Sequence, residues 1–145
     1  MKIVLSSLVF LFALKSLGAC RDFTGHYGWN MHGDIPVTLE ITQTGCEHLD
    51  FVLNAPTVNF VDTRSVELNG VFATLKDDDT EKVDGLWKFD GESLEFIENH
   101  QPKNNVHPYT DQGKYFFVDR NTLMYNFNRV QDQSHSSFSF TYIRQ

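Results

Sequence analysis

Beyond residue 20 the chain alternates apolar and polar residues with a period of two, and nowhere sustains the 3.6-residue period of a helix. Phe23, Gly25, Tyr27, Trp29 and Met31 point one way; Thr24, His26, Gly28, Asn30 and His32 point the other. That is the pattern of a half-buried strand. Gly33-Asp34-Ile35-Pro36 predicts a turn, and Val37, Leu39 and Ile41 mark a second strand. Thr44-Gly45 turns the chain again, and Leu49, Phe51 and Leu53 open a third. Asn54-Ala55-Pro56 reads as a bend or bulge within it, after which Val58 and Phe60 resume the pattern. Later strands are marked by Val83/Gly85/Trp87/Phe89, Tyr115/Phe117, Leu123/Tyr125/Phe127 and Phe138/Phe140/Tyr142.

A turn device recurs. Asp62-Thr63-Arg64-Ser65-Val66, Asp90-Gly91-Glu92-Ser93-Leu94 and Asp119-Arg120-Asn121-Thr122-Leu123 share the form Asp-x-x-Ser/Thr-apolar. Asp can accept hydrogen bonds from turn N–H groups, and Ser or Thr can close the turn, so each predicts a hairpin. Asp34, Asp62, Asp90 and Asp119 stand 28, 28 and 29 residues apart, one down-and-up pair of strands each time. In a meander these turns would share one end. The opposite end would collect Cys20, the Thr44-Gly45 turn with Cys46, the acidic loop 77–81, the long loop 99–113 and the turn 131–135. The expected fold is all-β: an antiparallel up-and-down meander of about 8–9 strands closing into a barrel, which covers the apolar face and removes free edges.

Two short stretches carry a resemblance. Phe23-Thr24-Gly25-His26-Tyr27-Gly28-Trp29 resembles the Gly-x-Trp first strand of lipocalin-like (calycin-type) small secreted β-barrels, with Gly25 and Tyr27 at the motif positions. Phe140-Thr141-Tyr142-Ile143-Arg144 resembles their closing strand, whose Arg packs over that aromatic. Tyr27 stands where Trp is usual, and no helix precedes the last strand. The resemblance implies a barrel that holds one small apolar ligand. Tyr27, Trp29 and Trp87 on the strands, with His107 and Tyr109 in the long loop, are the candidate ligand contacts.

The N-terminus places that barrel. Met1-Lys2, the apolar run Ile3 to Leu14 and the more polar Lys15-Ser16-Leu17-Gly18-Ala19 have the form of a secretory signal, too short to span a bilayer. The expectation is a signal over 1–19 and a single domain over 20–145, secreted or periplasmic. Export makes a disulfide between Cys20 and Cys46 the natural fate of the two cysteines. Leu17-Gly18-Ala19-Cys20 also resembles a lipobox, so a lipid anchor at Cys20 and a membrane-bound lipoprotein stay open. Without Lys2 and Lys15 the chain carries ten basic against 19 acidic residues, a formal charge of −9. No basic cluster awaits a phosphate backbone, so nucleic acid is not an expected partner.

No catalytic constellation is visible. The Asp turns are read as turn caps rather than acid–base groups. Asp77-Asp78-Asp79-Thr80-Glu81 lacks the spacing of a Ca²⁺ loop and reads as a solvated hairpin. The histidines 26, 32, 48, 100, 107 and 135 have no zinc spacing, although His100, His107 and His135 could meet at the long-loop end. Cys46 and His48 would make a nucleophile pair only with Cys46 free. No cofactor, no metal and no enzyme activity are expected. The reading is an exported non-enzymatic barrel binding a small apolar molecule at its long-loop end. The alternative is a secreted protein-binding module, for example a hydrolase inhibitor, that uses the 99–113 loop on a protein partner.

Overall fold

The computed structural model describes residues 20–31 and 35–145. The expected signal over 1–19 and the turn expected at Asp34 lie outside the described residues. Ten strands follow in order: β1 (Gly25–Met31), β2 (Ile35–Thr44), β3 (His48–Ala55), β4 (Phe60–Glu67), β5 (Ala73–Asp77), β6 (Glu81–Asp90), β7 (Ser93–Pro102), β8 (Tyr109–Phe117), β9 (Thr122–Gln131) and β10 (Ser134–Arg144). They form one antiparallel sheet in the order β4-β3-β2-β1-β10-β9-β8-β7-β6-β5. Apart from β1 with β10, neighbours in the sheet are neighbours in sequence. The meander therefore curls into a nearly closed barrel, and Tyr27 pairs with Arg144 where its first and last strands meet. β4 and β5 are the edges left over, facing each other across a seam without a shared ladder.

The strand count exceeds the expected eight or nine, and the reason lies between residues 54 and 73. Asn54-Ala55-Pro56 is not a bend in a continuing strand. β3 ends at Ala55, a 3-10 turn spans Pro56–Val58, and Asn59 takes a left-handed φ of 52° before β4 departs. Proline has no N–H for the ladder and fixes φ, while Asn tolerates the left-handed region, so the pair reverses the chain. Asp62 is then no turn residue; it sits inside β4. The next reversal comes at Asn69-Gly70, where Gly70 adopts φ +69° and Asn69 Oδ1 accepts from the Val71 amide.

Two reversals in place of one invert the parity of everything that follows. The turns after Asp90 and Asp119 lie at the end of the barrel that holds Cys20 and Cys46. The 77–81 and 102–109 connections and the 131–134 turn lie at the opposite end. The disulfide end and the long-loop end, expected to coincide, are opposite.

The disulfide end is filled. Phe23, Tyr27, Leu49, Val66, Leu68, Leu94 and Leu123 are buried there. Cys20 and Cys46 are bonded, their Cα atoms 5.6 Å apart, within the usual span of a disulfide. With its sulfur so engaged, Cys20 has no thiol on which a lipid thioether could form. Gln43 ties the same segment down: its Oε1 accepts from the Phe23 amide, and its Nε2 donates to the carbonyls of Arg21 and Gly45. Arg144 lies over the Tyr27 ring at 5.4 Å and donates to its hydroxyl, the contact that the resemblance implied.

Candidate functional site

The inward faces change chemistry along the barrel axis. β7 alternates strictly, burying Leu94, Phe96, Glu98 and His100 in turn. The first two join the plug; the last two keep the inward phase but are polar. β4 does the same with Val66, Arg64 and Asp62, and β9 with Leu123, Tyr125, Phe127 and Arg129. Apolar residues thus fill one half of the barrel, and charged residues occupy the other.

Within that second half lies a cavity of about 610 Å³, in the range of small-molecule sites. Its floor and walls are aromatic and aliphatic: Trp29, Leu39, Phe51, Trp87, Tyr115, Tyr125, Phe140 and Tyr142. Tyr115 and Tyr125 stack with centroids 4.2 Å apart, and Trp29 meets Phe140 edge-on at 4.7 Å. Burial raises the phenol pKa of Tyr115 and Tyr125, and that of Tyr142 to about 12, so all three stay neutral hydroxyls. Phe60 and Val61, both exposed, line the rim where β4 begins.

A charged belt sits at the mouth. Arg64 bonds Asp62 at 3.0 Å and Glu98 on β7. Lys76 on β5 lies 3.1 Å from Glu81 and 3.7 Å from Asp62. Arg64–Glu98 and Lys76–Asp62 cross the seam between β4 and β5, so side chains hold an edge that no backbone ladder closes. Glu98 is nearly fully buried, and burial alone would push its pKa up. His100 and Arg64 outweigh that and hold its carboxyl down to about 2. Its other oxygen accepts the Trp87 indole N–H at 3.0 Å. Arg129 grips Asp111 with two bonds, 2.8 and 2.7 Å, and lies 3.9 Å from the Tyr109 ring centre. His100 stacks on the same Tyr109 ring at 4.4 Å. The belt is an ion-pair network with every cation matched.

Of the five candidate contacts, Trp29, Trp87 and Tyr109 line the cavity. Tyr27 does not; it lies in the plug at the disulfide end and donates to the Phe23 carbonyl at 2.8 Å. His107 does not either; its exposed ring meets Asp132 at 3.1 Å outside the barrel. Arg64, Glu98, Asp111 and Arg129 were not singled out from sequence. The signal for them was present: Glu98 and Arg129 continue an inward period of two past the last apolar residue of their strands, and Arg64 and Asp111 keep the inward phase between apolar residues of theirs.

The remaining candidates resolve into local structure. Asp78 Oδ1 accepts from Thr80 and Glu81 amides at 2.8 and 3.0 Å, capping the acidic turn. His100 is inside the barrel and His107 outside, and among the described residues no His/Cys/Asp/Glu group is arranged to hold a metal. Ser65, His48 and Glu67 have triad-like distances, 3.0 and 2.9 Å, on the outer face of β3 and β4. However, Asp50 shares His48 Nε2 at 3.1 Å, and the flanking carboxylates raise the imidazole pKa. This is a surface polar ladder. An outer depression of about 870 Å³ is lined by Ser–Asn pairs that satisfy each other.

No family model matches this chain, and no curated protein matches it by sequence. Among solved structures it is similar to a secretary abundant heat soluble (SAHS) protein from Ramazzottius varieornatus. The two share 12% identity and a TM-score of 0.63, over 86% of this chain and 96% of the other. The likeness is one of fold, that of a small β-barrel.

Proposed function

We propose that this is an exported, non-enzymatic β-barrel that takes up a small, largely apolar molecule. The observation that carries the reading is the half-filled interior: a plug at the disulfide end and an aromatic cavity of about 610 Å³ at the other. An interior meant only for stability would be filled to close packing. The exposed Phe60 and Val61 give an apolar molecule a path across the charged rim. The disulfide suits an oxidising compartment, in keeping with the signal form of residues 1–19.

The inhibitor-like alternative loses ground on one point. Most of 99–113 is β7 and β8, and only residues 103–108 connect them. That leaves little chain to insert into a partner.

The chain has two tryptophans, and both line the cavity. Intrinsic fluorescence therefore reads occupancy directly. Native mass spectrometry should show a bound small molecule after mild purification, and an apolar probe should shift the Trp emission with saturation. Absence of both, in disulfide-bonded protein, rejects the proposal.

A further inference from the structure

Resting on the reading of the interior as a ligand site, we infer that the ligand's polar end is an uncharged or cationic hydrogen-bond donor, a hydroxyl or amine rather than a carboxylate, and that it binds at His100. Consider first the charges that line the cavity. The cations are Arg64, Lys76 and Arg129, and each is already paired: with Asp62 and Glu98, with Asp62 and Glu81, and with Asp111. Those four carboxylates stand against three Lys and Arg cations, with His100 a fourth only when its ring carries both hydrogens. An anionic head would lose its hydration and find no free cation in return. With one hydrogen on the His100 ring an ammonium would complete the balance, and a hydroxyl leaves it undisturbed in either state of the ring.

His100 shows where the head goes. Its side chain is 5% exposed and lines the cavity. Its Nδ1 lies 3.2 Å from Glu81 Oε2. An ionised carboxylate only accepts, so Nδ1 is the donor there. Nε2 is the single buried side-chain N or O atom among the described residues without a hydrogen-bond partner. It stands 3.3 Å from Glu98 Oε2 and 3.8 Å from Asp111 Oδ2, without the direction a hydrogen bond requires. With a lone pair on Nε2, the unpartnered atom is an acceptor beside two further acceptors, Glu98 Oε2 and Asp111 Oδ2, already engaged by Arg64 and Arg129, and only a donor satisfies it. With a hydrogen on Nε2, a small turn of the ring delivers it to Glu98, and again nothing is left for an anion. The tyrosine hydroxyls nearby donate and accept equally and compensate no charge, so they do not reverse the preference.

Decanol, decylamine and decanoate have one chain length and three heads. Each is titrated at neutral pH against Nile red bound to the purified, disulfide-bonded protein. Decanol and decylamine should each displace the dye at concentrations roughly 10-fold or more below decanoate. In His100→Leu that advantage should shrink to less than about 3-fold. Parity of decanoate with either donor, or an advantage that survives the substitution, overturns the assignment. Should His100→Leu fail to fold, ring ¹⁵N NMR of the unaltered protein decides instead. Decanol at saturation must move the Nε2 resonance of His100, and an unmoved resonance overturns the assignment. If no probe displaces the dye and none alters Trp emission, the ligand reading of the barrel itself fails, a result distinct from a preference for decanoate.

Discussion

At the scale of single residues, two ionisable groups should titrate in opposite senses. Glu98 is held at about 2, below its ordinary value of 4.5, chiefly because His100 and Arg64 overcome its burial. A depressed carboxyl stabilises the fold above its unfolded value, and that stability is lost as pH falls from about 4.5 toward 2. The melting temperature should therefore drop across that window, and Glu98→Gln should flatten the drop. Glu98→Ala leaves Arg64 with Asp62 alone and strands the Trp87 N–H in the interior, and should cost about 3 kcal/mol in urea denaturation. His48 is the converse case. Its bonds to Glu67 and Asp50 raise its pKa above 6.5, so what it contributes is complete below 6.5 and fades as pH rises through the raised value. NMR titration should find it above 6.5. Because the pair is near the surface, His48→Ala should cost less than about 1 kcal/mol.

At the scale of elements, the barrel depends on how tightly β8 and β9 cross. A Cβ built on Gly113 would fall 2.2 Å from the Asn126 carbonyl oxygen and 2.5 Å from Phe127 Cβ. Both are held in the ladder, so neither can give way cheaply. Gly113→Val should cost about 1–3 kcal/mol by denaturation, or prevent folding. The N-terminal segment is fastened by a bond across 26 residues of sequence. Loop-closure entropy puts the loss on Cys46→Ser near 3 kcal/mol, visible as a lower urea midpoint in the reduced protein as well. The strand pattern was legible because half-buried strands declare themselves by alternation. The two reversals near Pro56 and Asn69 were not, because Asn54-Ala55-Pro56 is punctuation that fits a bulge as well as a reversal, while the Asp-x-x-Ser form at Asp62 imitates a turn. Inside β4, Asp62 serves Arg64 and the seam instead.

At the scale of the whole molecule, the barrel is polarised: covalently tied and packed at one end, hollow and charged at the other. A molecule that binds only the folded state stabilises it by mass action, about 2.7 kcal/mol at 100 times its Kd. A saturating apolar alcohol should accordingly raise the melting temperature by several degrees, read by calorimetry. Millimolar Ca²⁺ should leave it unchanged, since Asp78 already caps its own turn. Retention of the cavity in Tyr27→Phe would separate the plug from the site, because Tyr27 lies below the cavity floor; ligand affinity should hold while stability falls.

The sequence by itself determined the architecture. A period of two in the absence of any helical period leaves antiparallel strands, and one apolar face leaves closure as the way to cover it. It also carried the disulfide, since the first strand and the first hairpin return to the same end whatever follows them. Only the tertiary structure decided which end is open. That outcome turns on the parity of the strand count, and a single misread reversal inverts it for every later loop. Only the tertiary structure, too, assembled the belt of Arg64, Glu98, His100, Asp111 and Arg129. Those residues come from four strands, and no local spacing records that a barrel will bring their inward positions to one level.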